Sequence, residues 1–147
     1  MKVAVISAEQ TRPLRHLVLR PTQPVESTVY AGDDAPETTH LGAFEDVRLV
    51  GIASLFREPR AGGPADGWRL RGMATAPTAR GRGAGNALLA GLRDQVAARG
   101  GGELWGNARQ VAVGFYTAAG FEAVGPEFEI EDIGPHVVVR TDVPPSS

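Results

Sequence analysis

The chain has 147 residues, a length that predicts a single domain over residues 1–147 with room for a sizeable core. Its formal net charge of -2 and isoelectric point of about 5.9 argue against a nucleic-acid-binding protein, since such proteins usually carry a basic patch. The chain has no cysteine, which excludes disulfides, a cysteine nucleophile and a cysteine-based zinc site.

The first ten residues, MKVAVISAEQ, are apolar for only a short run and lack the longer apolar segment of a signal peptide. No segment approaches the roughly 20 apolar residues that are needed to span a membrane. We therefore expect a cytoplasmic protein without a membrane partner.

The first elements are a strand and a helix. The apolar run VAVIS at positions 3–7 predicts a short strand, and the apolar spacing in residues 8–21 predicts a helix that ends at the last proline of that range. Because proline suits only the first helical positions, Pro13 predicts that the helix begins near Thr11 or Arg12.

A long loop and a hairpin follow. Residues 21–37 contain many turn formers and show no clear period, which predicts a loop that is either functional or mobile. Two β-biased runs, at 38–46 and 47–58, meet at Glu45 and Asp46 and predict an antiparallel hairpin.

The second half predicts alternating strands and helices. Apolar and polar side chains alternate from Trp68 to Thr75, which predicts a strand, and a glycine-rich loop then leads into a helix that runs to about Arg99. The later runs predict a short strand, a second helix and three strand segments, at residues 103–108, 109–120, 121–124, 127–132 and 136–143. The order requires an α/β fold with a mixed sheet, in which the strand–helix–strand segment makes a parallel, right-handed crossover.

The glycine-rich loop, RGRGAGNALL from Arg80 onward, has the features of an anion site. Glycines let a ligand approach the backbone closely, and the first N–H groups of the following helix have no partners. The loop is not a Walker A loop, because the only lysine is Lys2, and neither of its glycine registers fits the dinucleotide pattern. It does match R-x-x-G-x-G/A, through Arg80, Gly83 and Gly85.

Two segments resemble a known family. MATAPTARGRGAGNALL resembles the coenzyme A loop of the GNAT acetyltransferases, and NARQVAVGFYTAAGFEAVG resembles their second signature, a strand, a helix carrying FY, then GF. On this resemblance the chain is identified as a small bacterial, single-domain member of the GNAT N-acetyltransferase family. The resemblance implies the GNAT fold, a mixed central sheet flanked by helices with a splayed pair of parallel strands.

The resemblance also implies that acetyl-CoA is the cosubstrate. The pantetheine arm would pair with the backbone of the strand before the loop, and the pyrophosphate would lie on the loop's N–H groups. An ordinary buried strand and a simple helix start are the alternatives. The residues that the resemblance assigns to the coenzyme are Met73, Ala74, Thr75, Arg80, Gly81, Arg82, Gly83, Ala84, Gly85, Asn86 and Asn107.

Tyr116 and Asn107 each have two interpretations. In the family, a tyrosine at the FY position protonates the leaving thiolate, which implies that Tyr116 is the general acid. The alternative is an aromatic that packs on the core, a role that we expect of Phe115 instead. Asn107 and Gln110 match a capping box, so we expect Asn107 to cap the helix predicted at residues 109–120, with a coenzyme contact as its other role.

The general base is not evident. Family members often place a carboxylate on the central strands, but here the matching strand offers Arg69 and Arg71. The remaining candidates are Glu45, Glu129, Glu131, His40 and His136. We expect His136 as the base if the last strands fold over the site, and otherwise as a turn histidine. The histidines show no metal-ligand spacing, so no metal site is predicted.

The resemblance implies direct transfer of acetyl to a primary amine of a small molecule or a peptide. Transfer would occur in a ternary complex, because no cysteine can carry an acyl group. One alternative, favoured by the missing carboxylate, is a non-catalytic CoA-binding or sensor module; another is an acyltransferase that uses a longer acyl-CoA. Dimers are common in such folds, so a homodimer is also expected as an alternative to a monomer.

Overall fold

A computed structural model describes residues 1–146 of the chain. The strands and helices, in chain order, are β1 (Lys2–Ile6), α1 (Ala8–Leu14), a π-helical turn (Arg15–Leu19), a 3-10 turn (Val25–Thr28), β2 (Thr39–Glu45), β3 (Arg48–Arg57), β4 (Trp68–Thr75), a 3-10 turn (Pro77–Ala79), α2 (Ala84–Ala98), β5 (Gly102–Arg109), a 3-10 turn (Gln110–Ala112), α3 (Val113–Ala118), β6 (Glu122–Ile130) and β7 (Gly134–Val143). Within this part of the chain, no helix combines the length and the apolar character that crossing a bilayer requires.

The seven strands form one mixed sheet in the order β1-β2-β3-β4-β5-β7-β6. The predicted hairpin is confirmed, since β2 and β3 pair in antiparallel register. The predicted parallel pair is also confirmed: β4 pairs with β5 through Trp68 with Leu104 and Arg69 with Trp105. The mixed α/β class predicted from the order of elements is therefore confirmed.

The chain divides into two compact units. The first contains residues 1–57 and 70–95, and the second contains residues 58–69 and the chain from Val96 onward. In the first unit, α2 packs closely on the hairpin strands. A Cβ on Gly91 would lie 3.0 Å from Leu41 Cδ1, and one on Gly51 would lie 3.1 Å from Leu88 Cδ1. Larger side chains at these two glycines would push the helix off the strands.

In the second unit, an ion network ties β5, β6 and β7 together. The buried carboxylate of Glu103 accepts from Arg60 Nε at 2.9 Å and from Arg140 Nε at 2.6 Å. Arg140 also pairs with Glu122 and Asp142. Because Glu103 is almost fully buried, its two arginine partners compensate a charge that would otherwise be costly to remove from water.

The first helix begins earlier than predicted. Thr11 and Arg12 were the expected start, but α1 begins at Ala8, because Ser7 and Gln10 form a reciprocal capping box. Pro13 therefore lies inside the helix, and the chain continues as a π-helical turn in which the Arg20 N–H donates to the Arg15 carbonyl at 3.1 Å.

Asn107 does not cap α3, the helix predicted at residues 109–120, so that prediction is wrong. It lies within β5 opposite Val138, because the β5–β7 ladder continues to the pair Arg109–His136. The residue before α3 makes no side-chain cap. The predicted strand segments at 121–124 and 127–132 form the single strand β6, with a register shift between Val124 and Phe128.

Candidate active site

The glycine loop connects the 3-10 turn after β4 to α2. Gly81 and Gly83 have φ values of 80° and 88°, the left-handed region that glycine adopts without strain. A Cβ at either glycine would meet nothing within 4 Å, so the outer face of the loop is open. The Ala87 N–H donates to the Gly83 carbonyl at 3.0 Å, and the N–H groups just before it lie at the positive end of the helix. This geometry suits an anion.

The two loop arginines differ in their surroundings. Arg80 is exposed, whereas Arg82 Nη1 donates to both carboxylate oxygens of Glu45, at 2.8 and 3.0 Å. Glu45, a candidate base in the sequence, is therefore tied to the loop as an ion-pair partner. An incoming anion would compete with Glu45 for Arg82.

Strand β4 departs from regular geometry at its centre. Gly72 has a φ of 66°, and a Cβ there would lie 3.2 Å from Tyr30 Cε2 and 3.4 Å from Arg15 Nε. Past this point the strand continues through residues 73–75, and the Ala76 N–H donates to the Val50 carbonyl at 2.7 Å. Gly72 therefore allows Tyr30 to pack directly against the β4 backbone.

A buried polar cluster around Arg15 was missed by the sequence reasoning. The side chain of Arg15 is completely buried, and its two terminal nitrogens donate to Asp33 at 2.7 and 3.0 Å. It also donates to the Thr28 carbonyl and to Ser54 Oγ. The sequence offered one signal of this cluster. Arg15 lies four residues after Thr11, on the apolar side of the helix, a position that predicts a buried side chain.

His40, another candidate base, belongs to the same cluster. Its Nε2 lies 2.9 Å from the Asp33 carbonyl oxygen, which can only accept, so the proton lies on Nε2. Its Nδ1 lies 2.6 Å from Ser54 Oγ. Because both ring nitrogens are engaged and the ring is buried, His40 stabilises the cluster instead of serving as a base.

Strand β4 carries two arginines, each with specific partners. Arg69 Nη1 donates to Glu58 at 3.1 Å and its guanidinium lies 5.2 Å from the Trp105 ring centre. The Arg71 guanidinium lies 4.1 Å from the centre of the Tyr30 ring. As the sequence indicates, β4 carries no carboxylate of its own.

Tyr116 lies on α3 in the second unit and is buried. Its ring makes edge contacts with Phe115 and Phe121, at centre distances of 5.2 and 5.5 Å. Burial raises the pKa of Tyr116 to about 12. At neutral pH the phenol is therefore protonated and able to donate.

His136 lies on β7 in the same unit and is 4% exposed. Its Nδ1 is 2.8 Å from the Gly134 carbonyl oxygen, which places the proton on Nδ1 and leaves the lone pair of a neutral ring on Nε2. The remaining candidates, Glu129 and Glu131, are exposed. Of the candidate bases in the second unit, His136 alone is buried.

Comparison with known proteins decides the family. The model of the family described as "Acetyltransferase (GNAT) domain" matches residues 6–136. The chain belongs to the GNAT acetyltransferase family. It is 37% identical over 143 residues to a Bacillus subtilis (strain 168) protein named "Uncharacterized N-acetyltransferase YitI", covering 95% of this chain and 94% of that one.

Solved GNAT structures share the fold at low sequence identity. An aminoglycoside 6'-N-acetyltransferase complexed with coenzyme A has a TM-score of 0.77 at 18% identity, covering 100% of this chain and 99% of that one. The ribosomal-protein-S18-alanine N-acetyltransferase from Escherichia coli has a TM-score of 0.77 at 15% identity, covering 99% and 96%. GNAT membership makes the protein an acetyltransferase with acetyl-CoA as its cosubstrate. The non-catalytic alternative is not favoured.

Proposed function

We propose that this GNAT protein transfers the acetyl group of acetyl-CoA directly to a primary amine on a small molecule or a peptide. The observation that carries the proposal is the loop from Arg80 to Gly83. It combines left-handed glycines, an open outer face and the N–H groups that precede the first hydrogen bond of α2. These features suit the pyrophosphate of CoA.

The same proposal assigns the coenzyme contacts. The pyrophosphate lies on the N–H groups of residues 81–86, with Arg80 and Arg82 adding positive charge. The pantetheine arm pairs with the backbone of residues 73–75, and Asn107 contacts the coenzyme from β5. Asn107 lies within β5 and does not cap α3. The coenzyme contact is then the remaining one of its two predicted roles, which supports this assignment.

The chemistry is assigned to two buried side chains. The amine nitrogen attacks the thioester carbonyl carbon and gives its proton to Nε2 of His136, while backbone N–H groups near Thr75 stabilise the oxyanion. The carbon–sulfur bond then breaks, and the thiolate takes the phenolic proton of Tyr116. The protonated phenol and the lone pair on Nε2 support these roles.

Calorimetry and a thiol-release assay test the proposal together. We expect saturable acetyl-CoA binding, amine-dependent release of CoA, and one acetylated amine for each CoA released. A parallel assay with octanoyl-CoA tests the length of the acyl group. Faster turnover with octanoyl-CoA than with acetyl-CoA would show that the enzyme prefers a longer acyl group. Acetyl-CoA binding that cannot be detected would overturn the proposal.

The loop assignment predicts a position-specific effect of alanine. Gly83→Ala is expected to weaken acetyl-CoA binding about tenfold or more, because the new methyl group blocks close approach of the pyrophosphate and strains the left-handed backbone. Gly62 provides the matched control, since its φ is 76° and a Cβ there also meets nothing within 4 Å. Gly62→Ala should cost similar stability and leave the calorimetric affinity unchanged; equal weakening by both would contradict the loop assignment.

The Arg82–Glu45 ion pair predicts a gain in affinity. Glu45→Gln is expected to tighten acetyl-CoA binding up to about fivefold at low salt, because an exposed ion pair is worth at most about 1 kcal/mol and Arg82 no longer has to leave it. The gain should shrink as salt increases. Glu58→Gln, which removes the exposed partner of Arg69, is the control and should leave the affinity unchanged.

A further inference from the structure

We propose that the ring of Tyr30 closes the space behind the thioester and limits the acyl group to acetyl. This inference rests on the proposed function, because it concerns the acyl donor of the same reaction. The bonds that break and form stay the same, since the carbonyl carbon leaves the sulfur and joins the amine nitrogen. Only the length of the chain behind that carbon is decided by Tyr30.

The proposed coenzyme contacts give the direction in which the coenzyme runs. The pyrophosphate lies on residues 81–86 and the pantetheine arm on residues 73–75, so the arm passes from the loop toward the N-terminal end of β4. Gly72 comes next after Met73 in this direction, at a rise of about 3.3 Å along the strand. On this assignment the sulfur and its acyl group lie beside Gly72. Tyr30, Gly72 and the loop all belong to the first unit.

The ring of Tyr30 occupies the space next to β4 at this point. A Cβ on Gly72 would lie 3.2 Å from Tyr30 Cε2 and 3.8 Å from Tyr30 Oη. The first distance is shorter than the roughly 3.5–4.0 Å at which two carbon atoms pack without strain. Even one methyl group on this side of the strand would therefore press on the ring, and we expect an acyl chain longer than acetyl to meet the same obstacle.

The ring is held in place by its neighbours. The Cζ atoms of Arg15, Arg71 and Arg20 lie 3.8, 4.1 and 5.5 Å from its centre, within the range at which a cation is attracted to an aromatic face. Tyr30 is only 6% exposed, so little free space surrounds it. A close-packed side chain of this kind excludes a larger ligand instead of moving aside for it.

Buried hydrogen bonds fix the backbone of Tyr30 as well. Its N–H donates to Asp33 Oδ2 at 3.0 Å, and the Asp33 N–H donates to the Tyr30 carbonyl at 3.1 Å. Burial alone would raise the pKa of Asp33, but the hydrogen bonds from Arg15 and Tyr30 and the charge of Arg15 outweigh it and lower this pKa. Asp33 therefore stays ionised and holds both Arg15 and Tyr30, which makes the ring a rigid barrier.

Calorimetry with acetyl-CoA, butyryl-CoA and octanoyl-CoA tests the inference without any acceptor amine. We expect the affinity to fall at least about tenfold from acetyl-CoA to octanoyl-CoA, because one methylene that does not fit can already cost that much. Tyr30→Ala and Tyr30→Leu should raise the affinity for octanoyl-CoA at least about tenfold and change that for acetyl-CoA less than about threefold. Butyryl-CoA should fall between the two in every variant.

Three variants serve as controls. Tyr30→Phe removes only the hydroxyl and should keep the preference for acetyl-CoA, since the ring remains. Phe56→Ala removes another buried aromatic of the first unit, one that packs near Gly32 and His40, and should also keep the preference. Tyr30→Leu retains a buried apolar side chain and decides the result if circular dichroism shows that Tyr30→Ala does not fold.

The outcomes separate the inference from the proposed function. A preference for acetyl-CoA that is lost in Tyr30→Leu and kept in Tyr30→Phe and Phe56→Ala supports both. If acetyl-CoA binds but the unmodified protein binds octanoyl-CoA equally well or more tightly, the inference is overturned and the coenzyme assignment stands. The same follows if folded Tyr30→Leu keeps the preference, or if either control loses it. No binding of any of the three thioesters overturns both.

Discussion

Arg15→Ala is expected to lower the free energy of unfolding by about 3–5 kcal/mol, the range for removing one partner of a buried ion pair. The guanidinium is fully buried and makes four hydrogen bonds, to Thr28, Ser54 and both oxygens of Asp33. Without it, the Asp33 carboxylate is left buried without its main counter-charge. Urea denaturation followed by circular dichroism measures the loss.

Two further variants keep this prediction falsifiable. Arg82→Ala is the matched control, because its ion pair with Glu45 is exposed and should contribute less than about 1 kcal/mol. The free energy of unfolding of Arg15→Lys should fall between those of the two alanine variants, since lysine keeps the charge but cannot make the bidentate contact with Asp33. An Arg15→Ala protein no less stable than Arg82→Ala would show that the cluster does not stabilise the first unit.

The stabilisation by Arg15 should also depend on pH in one direction. Since folding lowers the pKa of Asp33 below its ordinary value of 3.8, its contribution is fully present above that value. It is lost as the pH falls through the lower pKa of the folded state. The difference in stability between the unmodified protein and Arg15→Ala should therefore shrink below about pH 4.

Tyr116→Phe is expected to lower kcat about a hundredfold or more, the usual contribution of a general acid. The substitution removes only the hydroxyl, so the contacts with Phe115 and Phe121 persist. Acetyl-CoA affinity should be unchanged, because the proposed proton transfer occurs only after attack on the thioester. Initial rates of thiol release and calorimetry separate these two effects.

Two measurements distinguish the loss of the Tyr116 hydroxyl from a general disturbance of the structure around it. Phe115→Leu disturbs the same aromatic group without touching the hydroxyl, and its kcat should stay close to that of the unmodified protein. Ultraviolet titration should show one tyrosine with a pKa of about 12 that is absent from Tyr116→Phe. Full turnover by Tyr116→Phe would remove Tyr116 from the mechanism.

Patterns confined to a few residues predicted the elements well. The alternation from Trp68 to Thr75 specifies a strand, because successive side chains of a strand point to opposite faces. The β-biased apolar runs on either side of Glu45 and Asp46 specify the hairpin, and its two strands are buried along most of their length. The glycine loop was also recognisable from a few neighbouring residues, because the left-handed backbone at Gly81 and Gly83 favours glycine at those positions.

Features that depend on distant partners were missed. Arg15, Asp33 and Ser54 are far apart in the chain, and only the fold places an arginine from the apolar side of a helix against an aspartate in a loop. For Asn107, in contrast, a local pattern predicted a helix cap that the structure does not contain, because the β5–β7 ladder continues through this residue. Local propensity is a weak predictor where long-range pairing continues through the same residues.

The π-helical turn from Arg15 to Leu19 also bears on how the first helix tolerates a change in length. Such a turn holds one residue more than an α-helical turn, and Leu17 within it is exposed. Arg20 follows Arg15 by five residues and donates its N–H to the Arg15 carbonyl. Deleting Leu17 would make that separation four, the spacing of an α-helical hydrogen bond, so the turn would become α-helical while Arg20 keeps nearly the same direction relative to Arg15. Related proteins could thus lose one residue at this turn with every residue of the buried ion cluster retained.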